Sequence, residues 1–222
     1  MHPAVSQVKA DGETWIDSLM AGFVSSADTG NEELVIATRA ALCDFCGRSA
    51  ANTDDICFAL ARNMKSWQGT DRVLVPTLEV VAFLFHVGIF AQCSGINYKN
   101  VCLQIQKACY KTGNVRKIEA CVKVYGAIAG LRRDSADSAP LAGNGSDALK
   151  NQEGVREALT RLGALMFHPW PRVKSMVVDE LWGLHHDDPA VQGLQGVDWG
   201  RADKENIKAV VGRLGLSLTA LC

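Results

Sequence analysis

Apolar positions recur along this chain at helical spacing. Trp15, Leu19 and Phe23 stand at i, i+4 and i+8, which predicts a helix over 13–26. Thr29-Gly-Asn-Glu32 has the form of a capping box, a hydroxyl followed three residues on by a carboxylate, and opens a second helix over 31–47. Asn52 reads as an amide cap ahead of Asp54 and Asp55, acids that suit the positive end of a helix dipole. Ile56, Leu60 and Met64 form the apolar stripe of that third helix, which ends near Trp67. The Gly69-Thr70 break starts a fourth helix over 71–92, with a kink or a late start at Pro76, because proline has no N–H for the helical ladder. Asn97 opens a fifth with Val101, Ile105 and Tyr110 on its face; Gly113-Asn114 ends it, and Ile118, Val122, Tyr125 and Ile128 carry a sixth over 115–131.

Further along, helices over 153–167 and 172–184 are separated by His168-Pro-Trp-Pro171, whose second proline suits a first helical position. Asp198-Trp-Gly-Arg201 is placed to cap a last helix over 202–214, with Ile207, Val210, Val211 and Leu214 on one face. No Asn-Gly or Asp-Gly turn joins two alternating runs, so the fold class is all-α. Helix onsets recur about every twenty residues, and paired helices at a period of about forty predict a HEAT/armadillo-like α-solenoid of stacked antiparallel pairs. On this reading 1–133 holds about six helices of the repeats. Residues 134–151, rich in Ser, Asp, Ala and Gly, form a flexible loop, and 152–222 adds a C-terminal repeat with a capping helix, all in one continuous solenoid domain.

Composition narrows this only a little. With 48% hydrophobic and 21% charged residues among 222, the chain has the means to fold around a core, so a disordered or fibrous chain is excluded. Of the eight cysteines, all but Cys222 fall in apolar helical stretches, which predicts reduced core thiols and no disulfide. The start of the chain lacks the basic and apolar parts of a secretory signal, and Val80–Ala91 is too short to span a bilayer. A cytoplasmic chain with no membrane span is the expectation.

Candidate chemistry is sparse. Cys43-Asp-Phe-Cys46 has zinc-knuckle spacing, yet a structural zinc site needs four ligands and no second pair of this kind follows. Cys102 and Cys109 share a helix face suited to small core residues, and His185-His186-Asp187-Asp188 reads as a solvated helix end. GxxxxGK[ST], GxGxxG, HExxH and GxSxG do not occur, and a nucleophilic thiol would need a polar setting that these cysteines lack. The expectation is no enzyme, no catalytic residue, no metal and no cofactor.

Charge is distributed unevenly. Near neutrality overall, at -1, argues against a polybasic nucleic-acid binder. Lys99, Lys107, Lys111, Arg116, Lys117, Lys123, Arg132 and Arg133 nevertheless face Glu119 alone over 99–133, whereas the first sixty residues are acidic. Lys107 and Lys111 at i, i+4, with Arg116 and Lys117 starting the next helix, predict a positive patch at one end of a helical hairpin. Stacking aromatics are not interleaved with these bases, because Tyr98, Tyr110 and Tyr125 fall on the apolar stripes, so protein rather than RNA is the expected partner. The turn at Trp170 and Arg172 is an alternative contact, with the Trp as an aromatic anchor.

Three stretches, RVLVPTLEVVAFLFHVGIF (Arg72–Phe90), LMFHPWPRVKSMVVDELWGL (Leu165–Leu184) and GVDWGRADKENIKAVVGRLGL (Gly196–Leu216), resemble the C-terminal region of the tubulin-folding cofactor D family in a fungal-type version. The resemblance runs from about Trp67 to Leu216 and weakens before it. It implies a HEAT-repeat chaperone module that binds β-tubulin, joins tubulin cofactors E and C in assembling and disassembling the αβ-heterodimer, and supports GTP hydrolysis by tubulin without a catalytic site of its own. It also implies an ADP-ribosylation-factor-like small GTPase as partner. The competing reading is a generic HEAT adaptor that binds another protein or RNA through the basic patch.

Overall fold

The computed structural model describes residues 15–27, 31–93, 95–109, 111–137, 145–185, 189–194, 196–213 and 216. They form α1 (Trp15–Ala27), α2 (Glu32–Gly47), α3 (Ala50–Ser66), α4 (Asp71–His86), a 3-10 turn (Phe90–Gln92), α5 (Tyr98–Cys109), α6 (Val115–Asp137), α7 (Gly145–Leu165), α8 (Pro171–His185), α9 (Pro189–Gln192) and α10 (Lys204–Arg213). Strand is absent among the described residues, as the helical periodicity predicts. The chain divides into two compact units, Met1–Ile96 and Asn97–Cys222.

In the first unit α1 packs against α2, α3 and α4, and α3 lies against both α2 and α4. The buried stripe of α1 is Ile16, Met20 and Val24, one position round from the expected Trp15, Leu19 and Phe23; Leu19 and Phe23 are only half-buried. Both stripes are apolar at i, i+4, i+8, and packing against the neighbouring helices chooses between them. The caps differ from expectation too. Asn31, not Thr29, caps α2, its Oδ1 accepting from the Leu34 N–H at 3.0 Å. Ser49, not Asn52, caps α3 through its hydroxyl and the Asn52 N–H at 3.1 Å. Asn52 turns back instead: its Nδ2 donates to the Phe45 carbonyl at 2.9 Å, and Thr53 Oγ1 donates to the Cys46 carbonyl at 3.1 Å. The Phe45 carbonyl, which also accepts the Arg48 N–H at 3.4 Å, and the Cys46 carbonyl at the end of α2 are thus bonded by the first turn of α3, which fixes the α2–α3 corner.

Helix α4 is buried nearly all round, through Leu74, Val75, Leu78, Val80, Val81, Leu84 and Phe85. Pro76 lies inside it and removes one ladder bond, the one its nitrogen would otherwise make to the Arg72 carbonyl. The helix stops at His86 rather than at 92, because Gly88 takes φ +76 and its N–H closes onto the Phe85 carbonyl at 2.9 Å.

The second unit is a stack of two helix pairs. Tyr125, midway along α6, donates its hydroxyl to the Cys102 carbonyl of α5 at 3.2 Å, and the short turn 111–114 joins the pair. Helices α5 and α7 run parallel: Lys99 pairs with Glu153 at 3.4 Å, a Cβ at Gly154 would stand 2.5 Å from that of Tyr98, and one turn further along α5 Cys102 lies near Glu157 and Arg161 of α7. Helices α6 and α8 are parallel as well. Glu119 meets Arg172 at 4.0 Å, Gly126 lies under Glu180, and a Cβ at Gly130 would reach Leu184 at 2.9 Å. First helix stacked on first helix and second on second is the arrangement of HEAT-type repeats. The expected stripe Ile118, Val122, Tyr125 and Ile128 is the buried face of α6.

Both ends of the loop expected over Asp134–Asn151 are helical instead. Helix α6 continues to Asp137 and α7 begins at Gly145, while 138–144 lie outside the described residues. A polar composition does not stop a helix whose next turns add ladder bonds at little cost. Lys204 rather than Ala202 begins the last helix, with Asp203 Oδ1 accepting from the Asn206 N–H at 2.8 Å; Asp198 instead closes a turn onto the Gly200 N–H at 2.9 Å.

Candidate functional site

The expected basic hairpin end forms where α5 stops and α6 begins. Lys107 is exposed in the last turn of α5, Lys111 is exposed in the connecting turn at φ +52, and Arg116 is exposed in the first turn of α6. Lys117 is not part of this surface: it is 6% exposed. Spacing placed Arg116 and Lys117 together, but a step of 100° round the helix turns the second toward the protein. Asn114 caps α6 by accepting from the Lys117 N–H at 3.2 Å.

Trp170 and Arg172 occupy the corresponding corner of the next pair. Pro171 takes the first position of α8, as its fixed φ favours. Trp170 is 37% exposed, and its indole meets the His168 ring edge-on at 5.0 Å between centroids. The Trp170 N–H donates to His168 Nδ1 at 3.2 Å. Burial, and then the nearby Lys174 ammonium, hold the His168 pKa below its ordinary value, which keeps that nitrogen an acceptor. Lys174 itself is buried, and its ammonium donates to the Trp199 carbonyl at 3.2 Å, tying α8 to the turn before α10.

The two expected contact regions are therefore neighbours. Because α6 and α8 are parallel, their N-terminal ends lie at one edge of the stack, bridged by Arg172 and Glu119 at 4.0 Å. Glu119 also holds Lys123 at 3.0 Å. Periodicity could not reveal this, since more than fifty residues separate the two turns.

Elsewhere the cysteines behave as core atoms. Cys46, Cys57, Cys93, Cys102 and Cys121 are buried, and Cys43 and Cys109 are half-buried. Burial, reinforced by Cys43, pushes the Cys46 thiol up to about 11, and burial pushes Cys102 higher still, so neither is a thiolate near neutral pH. Among the described residues no three His, Cys, Asp or Glu side chains gather as a metal site requires. The 186–188 part of the His-His-Asp-Asp run, Tyr110 and Cys222 lie outside the described residues. No helix among the described residues is long and apolar enough to cross a membrane.

The family model of the tubulin folding cofactor D C-terminal region matches residues 8–117. It takes in the whole first unit from residue 8, the stretch Arg72–Phe90, and the turn with Lys107, Lys111 and Arg116. The stretches Leu165–Leu184 and Gly196–Leu216, and with them Trp170 and Arg172, lie beyond the match, and the residues before Trp67, where the resemblance is weaker, lie within it. No curated protein and no solved structure matches the chain. A helical stack of this kind carrying that match over its first half places the chain in the tubulin folding cofactor D family, as a C-terminal region.

Proposed function

We propose that this chain is a non-catalytic binding module of a tubulin chaperone, which holds β-tubulin during assembly and disassembly of the αβ-heterodimer. Tubulin cofactors E and C engage other faces, an ADP-ribosylation-factor-like small GTPase is a further partner, and the setting is the cytoplasm. GTP hydrolysis belongs to tubulin; the module supports it by fixing tubulin's conformation through many side-chain contacts on a stacked-helix surface.

The observation that carries this reading is the family match over 8–117, which includes the exposed bases Lys107, Lys111 and Arg116. Tubulin is acidic, so cations at that turn favour its encounter. Core thiols with raised pKa values and the lack of any cradle motif for phosphate support a module without its own chemistry.

The test is co-purification of the intact chain with tubulin and with cofactor E, with and without competing RNA. Retention of tubulin that RNA does not displace supports the reading. Reversal of Lys107, Lys111 and Arg116 to Glu should slow tubulin association and flatten its salt dependence with helicity unchanged. Retention of RNA in place of tubulin would favour the generic adaptor.

A further inference from the structure

Helix physics disfavours the way charge is arranged at the shared edge of α6 and α8. The N-terminus of a helix carries partial positive charge, and acids in the first turn normally offset it. Helices α2, α4 and α10 follow this rule with Glu32 and Glu33, Asp71 and Glu205. Helices α6 and α8, like α3 and α5, have no acid in the first turn, and they carry the exposed bases Arg116 and Arg172 there. The parallel stacking points both positive ends the same way, and Lys107 and Lys111 add to them from the end of α5. Trp170, a large apolar ring left 37% exposed between two prolines, sits on the same edge.

Resting on the binding role proposed above, we infer that this edge is one docking surface for an extended acidic peptide segment of a protein partner, with an apolar residue of that segment on Trp170. The bases and both helix ends receive the carboxylates, while the indole supplies the apolar contact that fixes register. Stacked helices lie about 8–10 Å apart and an extended chain rises about 3.3 Å per residue. Acids near the α6 end and the apolar residue near the α8 end are therefore about three positions apart in the peptide. Glu119, held between Lys123 and Arg172, stands between the two helix ends and disfavours an acid midway.

The test titrates the full chain with a labelled Glu-rich peptide carrying one Phe three positions from its acids, read by fluorescence anisotropy at low and at physiological salt. A Gly-for-Phe peptide and a Gln-for-Glu peptide are the controls. Binding should weaken with salt, fall about tenfold on Trp170→Ala for the Phe peptide only, and fall for both acidic peptides when Lys107, Lys111 and Arg116 become Glu. Trp170→Phe and a circular dichroism melt separate loss of contact from loss of fold. Equal binding of the Gln peptide, or no effect of either the Trp170 or the base substitutions, overturns the inference. So does an RNA oligonucleotide that displaces the peptide from the same residues at lower concentration. Tubulin binding without peptide binding refutes this surface and leaves the binding role standing, whereas peptide binding without tubulin binding does the reverse.

Discussion

Glu180→Gln should stabilise the second unit above neutral pH and remove part of its pH dependence. Glu180 lies on α8 against Gly126 of α6, where a Cβ would collide with its carboxylate. Burial in that contact is the main reason its pKa is pushed up from the ordinary 4.5 to about 7; Asp179 and Glu119 add to the rise and Lys123 opposes it. The folded state then binds more protons than the unfolded one between 4.5 and 7. Stability is therefore highest below that window and falls as pH rises through it. Each pH unit across the window costs about 1.4 kcal/mol when the unfolded group is fully charged and the folded one neutral. Because the side chain keeps some contact with water, a loss of about 2 kcal/mol by pH 8 is the working magnitude. Chemical denaturation of wild type and variant, followed by circular dichroism from acid to alkaline pH, measures it. The variant's stability should exceed that of wild type by about this amount at high pH, with the two curves converging below 4.5. Parallel curves across the range would refute the argument, since they would mean that Glu180 titrates as it does in the unfolded chain.

Gly154→Ala should destabilise the α5–α7 contact by about 1–3 kcal/mol, because the new methyl would meet the Tyr98 Cβ at 2.5 Å and the Lys99 backbone nitrogen at 3.3 Å; a denaturant midpoint checks it. Asn31→Ala and Ser49→Ala each remove a cap hydrogen bond and should cost about 1 kcal/mol in the first unit, read as a lowered melting temperature. Acidification below the ordinary histidine range should loosen the Trp170 turn. The acceptor role of His168 contributes stability that is full above the unfolded pKa and is lost as pH falls through the lower folded value, and the Trp170 amide resonance in NMR reports it.

The sequence alone determined the fold class, because apolar side chains at 3.6-residue spacing have only one local structure that gathers them on a face. The stripes Ile56, Leu60, Met64 on α3 and Ile118, Val122, Tyr125, Ile128 on α6, the cap at Asn97 and the place of Pro171 were legible for the same local reason. The family resemblance was legible from residues such as Arg72–Phe90, since helix-face patterns persist in the chain itself. Tertiary structure decided what local rules leave degenerate. In α1 two adjacent apolar stripes were available and packing buried Ile16, Met20 and Val24. At the α2–α3 corner Ser49 took the cap and freed Asn52 to bond across to Phe45, a choice that depends on where the preceding helix ends. The candidate site shows the difference most clearly. Lys107, Lys111 and Arg116 on one hand, and Trp170 and Arg172 on the other, were separate alternatives along the chain, and Lys117 was counted among the exposed bases. Parallel stacking of α6 on α8 joined the two turns at one edge, because adjacency across a stack depends on helix lengths and crossing geometry, which no local spacing encodes, and packing of the fold left Lys117 buried.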